Sequence, residues 1–146
     1  MQALLQRVTQ ASVSVEGTVI GQIGQGLLVF VCAEHDDREA SAIRLLEKIL
    51  KLRIFSDEAG KMNHSIQDIK GSLLIVSQFT LVADTSKGTR PSFGRAAAPE
   101  VARHLYESFV ALARQSGLPI ETGIFAANMQ VTLVNDGPVT IPLVIS

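Results

Sequence analysis

A short polar segment, Ser77-Gln78-Phe79-Thr80, follows a strongly apolar run and is the first candidate for chemistry. Hydroxyl and amide side chains around one aromatic ring are unusual for a strand that is buried in a core. Two interpretations are open. The side chains alternate between core and solvent, as in a half-buried strand, or they form a polar rim where the strand opens onto a pocket.

A second unusual segment is Gly137-Pro138, which falls between two predicted strands. The simplest interpretation is an ordinary turn. Because only about 5–6% of X–Pro bonds in folded proteins are cis, nothing in the local sequence indicates a special geometry.

Ordinary catalytic and cofactor sets are missing. The histidines His35, His64 and His104 show no metal-ligand spacing with one another or with a cysteine, so neither a metal nor a cofactor is predicted. The sequence contains no Gly-x-Ser-x-Gly elbow and no phosphate-binding glycine loop before a helix. The single cysteine, Cys32, lies in an apolar run and is predicted to be a small buried hydrophobe.

Composition limits the class of protein. The 146 residues, 47% hydrophobic and 18% charged, are typical of one globular domain spanning residues 1–146. A net charge of −1 argues against a basic surface that coats DNA or RNA, but allows contact with the last nucleotides of an RNA. No apolar stretch approaches the roughly 18 residues of a membrane span, and the N-terminal residues alternate like a strand rather than a signal peptide. The expected compartment is the cytoplasm.

The elements that position these segments follow from hydrophobic periodicity. Strands are predicted over residues 4–15, 18–23 and 26–33, the last as a continuous apolar run. Apolar residues at spacings of three and four then predict a helix over residues 36–52, with Asp36 or Asp37 as its N-cap.

The rest of the chain is predicted to contain further strands and a second helix. A helix is predicted from Pro99 to residue 115, because proline suits the first helical position. The other predicted elements are a short strand over residues 52–55, a strong strand over 72–82, a loop over 83–98, and strands over 129–134 and 139–145. This order predicts an α+β architecture, in which two main helices pack on a mostly antiparallel sheet.

Several segments, in this order and at these spacings, resemble the D-aminoacyl-tRNA deacylase family over nearly the whole chain. The most specific are Ser-Gln-Phe-Thr-Leu at 77–81, Arg-Pro-Ser-Phe at 90–93 and Asn-Asp-Gly-Pro-Val-Thr at 135–140; the others are 6–9, 11–13, 24–28, 53–57, 60–63, 83–84 and 87–88. Two positions depart from the pattern. The family often has a basic residue where this chain has Ile124 and an acidic residue where it has Asn128.

The resemblance implies a function and an assembly. It implies an enzyme that hydrolyses the ester of D-aminoacyl-tRNA, with a barrel-like core and a homodimer whose active site lies at the subunit interface. It implies that Gly137-Pro138 is cis, is held by Arg7, and enters the partner's pocket to reject L substrates. Because glycine has no side chain to reject, some activity on glycyl-tRNA is also predicted. Without the resemblance, Arg7 is equally well read as an exposed strand arginine.

The resemblance also assigns contacts to the acceptor end of the tRNA. Phe125 and Met129 would line a pocket for the terminal adenosine, since an aromatic ring and a thioether both pack well on a base. Lys87 and Arg90 would meet phosphates, although solvated loop charges are an equal alternative.

The sequence leaves two candidates for the group that attacks the ester. Thr80 is a candidate nucleophile, and water activated with help from an RNA hydroxyl is the favoured one, with N–H donors near Gln78 and Phe79 for the oxyanion. Two other functions remain as alternatives: a non-catalytic module that binds RNA ends, and a hydrolase of small D-amino acid esters.

Overall fold

The fold is built on one long first strand, seen here in a computed structural model that describes residues 1–146. β1 (Gln2–Val15) pairs antiparallel with three neighbours, β2 (Thr18–Ile23), β3 (Gly26–Cys32) and β8 (Gln130–Val144). Its buried side chains alternate with half-buried ones, as expected for a strand with one face in a core. The strands predicted from the first 33 residues are confirmed.

The remaining strand pairs of this sheet are parallel. β6 (Ser72–Ser77) pairs parallel with β3, and β7 (Ile120–Thr122) pairs parallel with β6, giving the order β2-β1-β3-β6-β7. The two ends of this order approach each other, because a Cβ built on Gly21 of β2 would lie 3.0 Å from the carbonyl oxygen of Thr122 in β7. The α+β class and the barrel-like core are therefore confirmed, with a mixed sheet. β7 was not predicted, since three residues carry too little periodicity.

Both predicted helices are present and pack on one face of the sheet. α1 (Glu39–Lys51) buries Leu45, Leu46 and Ile49. α2 (Pro99–Arg114) begins with proline as predicted and buries Leu105, Tyr106 and Phe109. Together with alternate residues of the sheet they form the larger hydrophobic core.

The N-cap predicted for α1 was wrong. The helix begins at Glu39, three residues after the predicted start at residue 36, and Arg38 is its N-cap. The Asp37 carboxylate instead accepts hydrogen bonds from the Glu34 amide at 2.7 Å and from the terminal amine of Met1 at 2.6 Å. Asp37 therefore stabilises the turn before the helix rather than the helix itself.

The smaller core lies on the other face of the sheet. It contains Leu28, Leu74 and Val76, together with Val8, Ala11, Val13 and Ile23. Leu28 belongs to this core while its neighbours Leu27 and Val29 belong to the larger one. β3 is thus buried on both faces, which explains its continuous apolar run.

Two predicted strands differ from the structure. Residues 72–82 do not form one strand, because β6 ends at Ser77 and Phe79–Val82 forms a 3-10 helix. The Gln78 amide still donates to the Val31 carbonyl at 2.8 Å, one residue before β3 ends at Cys32, and the chain leaves the sheet after this bond. The short strand predicted over 52–55 is limited to β4 (Phe55–Ser56), which pairs with β5 (Met62–His64) in a separate hairpin.

The last two predicted strands are one strand, β8, because β1 offers a partner along nearly its whole length. The predicted turn over 135–138 is a bulge within this strand. Gln6 pairs with Thr140 and Val8 with Asn135, so residues 136–139 lie opposite Arg7 without a partner of their own. The bulge directs these residues away from the ladder.

None of the helices is long and apolar enough to cross a membrane.

Candidate active site

A largely apolar cavity of about 860 Å³ opens beside the end of β6. Ser77, Gln78, Phe79 and Thr80 line one side of it, and Phe125 and Met129 line another. The remaining lining residues are Met1, Phe30, Val31, Cys32, Ala33, Val76, Ala96, Ala97, Pro99, Ala102, Tyr106, Ala126, Ala127, Asn128 and Val131. The volume is in the range that accommodates a nucleoside or an amino acid ester.

The polar segment after β6 stands at this cavity. Ser77 and Gln78 are half-buried, while Phe79 and Thr80 are exposed. Of the two interpretations of the sequence, the structure therefore favours a polar rim over simple alternation within a strand. Phe79 is packed edge-to-face on Phe93, with ring centroids 5.0 Å apart.

Hydrogen bonds limit what this segment can do. The Gln78 side-chain amide donates to Thr80 Oγ1 at 3.0 Å, and the Gln78 main-chain amide is occupied by Val31. A nucleophilic hydroxyl needs a neighbouring base to accept its proton, and an amide N–H is not one. The Phe79 amide is the first of the 3-10 helix and has no acceptor within that helix.

Two groups on the cavity wall keep their protons near neutral pH. Burial first, and then the nearby Glu34 carboxylate, raise the pKa of the Cys32 thiol to about 11. Burial also raises the pKa of the Tyr106 hydroxyl to about 12, and this hydroxyl donates to the Ile75 carbonyl at 3.0 Å. A protonated thiol is a poor nucleophile, so Cys32 forms part of the wall. Its prediction as a buried hydrophobe is confirmed.

An aromatic wall faces the polar rim. The rings of Tyr106 and Phe125 are 5.9 Å apart, and the guanidinium of Arg103 lies 4.6 Å from the centroid of Phe125. The sulfur of Met129 packs so closely on Gly123 that a Cβ there would lie 2.5 Å from it. Sequence reasoning missed Arg103 and Tyr106; the chain's single tyrosine, beside a predicted inner-stripe position, was the available signal.

Arg7, Gly137 and Pro138 do not line this cavity. The Gly137–Pro138 peptide bond is cis, and both residues are exposed. Arg7 is buried, with only 8% of its surface exposed, so it is not the exposed strand arginine that was considered. Its Nε donates to the Asp136 carbonyl at 3.0 Å and its Nη1 to the Ile54 carbonyl at 2.7 Å.

Lys87 and Arg90 also stand away from the cavity lining, in the loop that was predicted over residues 83–98. Asp84 and Ser92 close this loop by a pair of main-chain hydrogen bonds of 2.8 and 2.9 Å. The Ser86 hydrogen bonds hold the pKa of Asp84 below its usual range, so this carboxylate is charged at neutral pH. Lys87 and Arg90 are both exposed at the tip of the loop.

The histidines serve no common site. His35, His64 and His104 each lie within 4 Å of a different carboxylate, those of Asp36, Asp68 and Glu39. No three His, Cys, Asp or Glu side chains converge as a metal site would require.

Comparison with known proteins gives the family. The family model described as D-Tyr-tRNA(Tyr) deacylase matches residues 4–144. The chain belongs to this family. Its relatives include the D-aminoacyl-tRNA deacylase of Paracidovorax citrulli, 64% identical over 98% of this chain and 92% of the relative. That of Polaromonas naphthalenivorans is also 64% identical, over 98% of this chain and 96% of the relative.

Two solved structures share the fold. The c-Myc DNA Unwinding Element Binding Protein superposes with a TM-score of 0.94 at 42% identity, covering 100% of this chain and 99% of its own. A probable eukaryotic D-amino acid tRNA deacylase gives a TM-score of 0.85 at 17% identity, covering 97% of each chain. At that identity, the second likeness concerns the fold alone.

Proposed function

We propose that this chain hydrolyses the ester bond between a D-amino acid and the 3′ end of tRNA, releasing both. Membership of the family carries this proposal, because its relatives at 64% identity are named D-aminoacyl-tRNA deacylase and cover nearly the whole chain. The cavity supports it, since its apolar walls accommodate a nucleoside and its polar rim carries hydrogen-bonding groups. The proposed compartment is the cytoplasm, where aminoacylated tRNA is used.

The proposed unit is a homodimer in which Gly137 and Pro138 of one protomer enter the cavity of its partner. Both residues are exposed and neither lines the cavity of its own chain. Their main-chain carbonyls would accept hydrogen bonds from the α-ammonium of the substrate. With the ammonium and the ester carbonyl both fixed, an L side chain points into main-chain atoms and a D side chain into open space. Glycine has no side chain to reject, so glycyl-tRNA is a proposed substrate too.

The proposed attacking group is water, assisted by the neighbouring hydroxyl of the terminal ribose. Thr80 Oγ1 accepts a hydrogen bond from Gln78, and no histidine, lysine, aspartate or glutamate side chain lines the cavity to deprotonate it. The protein would supply orientation and an oxyanion donor. Because the Gln78 main-chain amide is already bonded to Val31, the donor role is assigned to the Phe79 amide.

The proposed RNA contacts divide between the cavity and the loop. Phe125 and Met129 would hold the terminal adenine against the aromatic wall, and Lys87 and Arg90 would meet acceptor-stem phosphates. The departures at Ile124 and Asn128 fall beside this wall, where Ile124 is exposed and Asn128 lines the cavity. They bear on how the base is held rather than on the ester chemistry.

One assay tests the proposal. Purified protein is given matched D- and L-tyrosyl-tRNA, glycyl-tRNA and the D-tyrosine ethyl ester, and release of the amino acid is followed. We expect release from the D and glycyl tRNAs and none from the L tRNA. Equal binding of D- and L-tRNA without release would indicate a module that binds RNA ends, and release from the ethyl ester alone would indicate a small-ester hydrolase.

A competition experiment tests whether the chain also binds duplex DNA. The relative of 42% identity is named for a DNA element, whereas the net charge of this chain is −1. We expect duplex DNA in excess to leave the hydrolysis of D-tyrosyl-tRNA unchanged, because a surface without net positive charge gains little from phosphate contacts.

A further inference from the structure

The β4–β5 hairpin is tied together by an unusually complete set of side-chain hydrogen bonds, although it stands apart from the main sheet. We call residues 53–64 the hairpin. Asp57 Oδ1 accepts from the amides of Ala59 and Lys61, both at 2.9 Å, and Oδ2 accepts from Asn63 Nδ2 at 2.7 Å. Arg53 then donates to Asn63 Oδ1 at 2.8 Å and to the Asn63 carbonyl at 3.1 Å.

These bonds fix every polar atom of the two central side chains. The pKa of Asp57 is held below its usual range, first by the Asn63 side chain and then by the Lys61 amide. Asn63 gives its amide nitrogen to Asp57 and its amide oxygen to Arg53. The hairpin is therefore a rigid unit, even though its turn is exposed.

The base of the hairpin connects to the Gly137-Pro138 segment. Ile54 and Phe55, at 5% and 2% exposure, anchor the base in the larger core. The Ile54 carbonyl accepts from Arg7 Nη1, and the same guanidinium donates to the carbonyl of Asp136, the residue before Gly137. Hydrogen bonds thus connect Asp57 through Asn63 to Arg53, the main chain continues from Arg53 to Ile54, and further hydrogen bonds connect Ile54 through Arg7 to Asp136 in the bulge.

We propose that the hairpin sets the position of the Gly137-Pro138 segment through Arg7, so that Asp57 and Asn63 are positioning residues for the choice between D and L substrates. This proposal rests on the role given above to Gly137 and Pro138. Neither Asp57 nor Asn63 lines the cavity, so neither is placed to touch the reacting atoms.

The physical basis is the scarcity of acceptors for a buried guanidinium. Arg7 has 8% of its surface exposed, and its neighbours supply two main-chain carbonyls and the Asp136 carboxylate, 3.5 Å from Nε. If the Ile54 carbonyl shifts, Arg7 either leaves a buried N–H without a partner or follows the shift. Following it moves the Asp136 carbonyl, and the segment after it moves too.

The test uses an isosteric pair of substitutions, Asp57→Asn and Glu58→Gln. An amide at position 57 cannot accept from Asn63 through its nitrogen. Rotating the Asn63 amide restores that bond only by turning its nitrogen towards Arg53, so one hydrogen bond is lost in either arrangement. Glu58 is exposed and makes no hydrogen bond or ion pair, so its change to glutamine removes the same charge next to the network without breaking it.

Two measurements follow: the ratio of kcat/KM for L- over D-tyrosyl-tRNA, and hydrogen exchange of the peptide that contains residues 136–140. A misplacement of 1 Å can change a rate by about 10²-fold, so a smaller shift should raise the L/D ratio by about tenfold. We expect Asp57→Asn to raise both the ratio and the exchange rate, while hydrolysis of the D substrate falls by less than about threefold because Asp57 does not line the cavity. Glu58→Gln should match the wild type in both.

The outcomes separate this proposal from the proposed function. If the wild-type protein hydrolyses D-tyrosyl-tRNA and Asp57→Asn leaves the ratio and the exchange unchanged, the positioning role is wrong and the deacylase function stands. If the wild type releases no amino acid, the deacylase function fails; faster exchange at residues 136–140 in Asp57→Asn alone then still supports the mechanical connection. A ratio raised equally by Glu58→Gln would reduce the effect to charge and contradict the proposal.

Discussion

The change Gly137→Ala tests the bulge directly, because the added methyl group both strains the backbone and contacts its neighbours too closely. Gly137 has φ +123°, a conformation that residues with a Cβ rarely adopt. Forcing such a residue into this region costs on the order of 1–3 kcal/mol. The added Cβ would also lie 3.0 Å from Arg7 Nη2, 3.1 Å from Val139 Cγ2 and 3.2 Å from the Val139 nitrogen.

These neighbours have little freedom to move. Arg7 is fixed by its bonds to Ile54 and Asp136, and the Val139 nitrogen belongs to the main chain. We therefore expect a loss of about 2 kcal/mol in the free energy of unfolding. For a chain of this size that corresponds to a melting temperature lower by about 4–8 °C.

Stability is measured by urea and thermal unfolding, and function by hydrolysis of D-tyrosyl-tRNA. We expect kcat/KM to fall by at least about tenfold, because the methyl displaces the carbonyls that would hold the substrate ammonium. Gly24→Ala is the matched control, since its Cβ meets nothing within 4 Å and its φ is not positive. A Gly137→Ala protein that melts and turns over like the wild type would refute both the strain argument and the proposed geometry.

Four further changes have expected outcomes. Thr80→Ala should retain kcat within about threefold on D-tyrosyl-tRNA, since Oγ1 has no base beside it; a loss of about 10³-fold would make Thr80 the nucleophile. Cys32 should resist iodoacetamide at about pH 8, and because its pKa is raised from 9.0 to about 11 in the folded state, stability should fall as the pH rises from about 9 to 11, less so in Cys32→Ala. The double change of Lys87 and Arg90 to Gln should raise KM for tRNA. It should also reduce the slope of log K for tRNA binding against log salt concentration by about one to two, and hydrolysis of the ethyl ester, which has no phosphate, is the control. Phe109→Ala should destabilise the fold by about 3–5 kcal/mol, because this ring of α2 is fully buried in the larger core; a loss under about 1 kcal/mol in urea would contradict the packing.

Hydrophobic periodicity correctly predicted the helices and strands that bury side chains at a regular spacing. The inner stripes of α1 and α2 and the apolar run of β3 are examples, because burial of one face imposes a regular spacing. The same reasoning failed where main-chain partners decide the outcome. Phe79–Val82 is as apolar as a strand, yet it forms a 3-10 helix because pairing with β3 has ended.

The site residues also divide into those that the sequence could identify and those that depend on distant partners. Ser77 to Thr80 was singled out because its residue types conflict with a buried strand, with a polar rim as one of two interpretations, and Phe125 and Met129 were reached through the family resemblance. The guanidinium of Arg7 could not be placed from its own neighbours in sequence. Its acceptors belong to Ile54 and Asp136, which lie 47 and 129 residues away along the chain.

The length of β8 has a consequence for how the site is shared. Met129, the residue just before β8, lines the cavity, and Gly137 lies eight residues later within that strand. Eight residues of extended chain span at most about 27 Å, and β8 runs from the cavity to the bulge, whose Gly137 and Pro138 do not line the cavity of their own chain. In the proposed homodimer, each chain therefore supplies its stereochemical filter to the other, and a defect at Gly137 disables the cavity of the neighbouring subunit while its own stays intact.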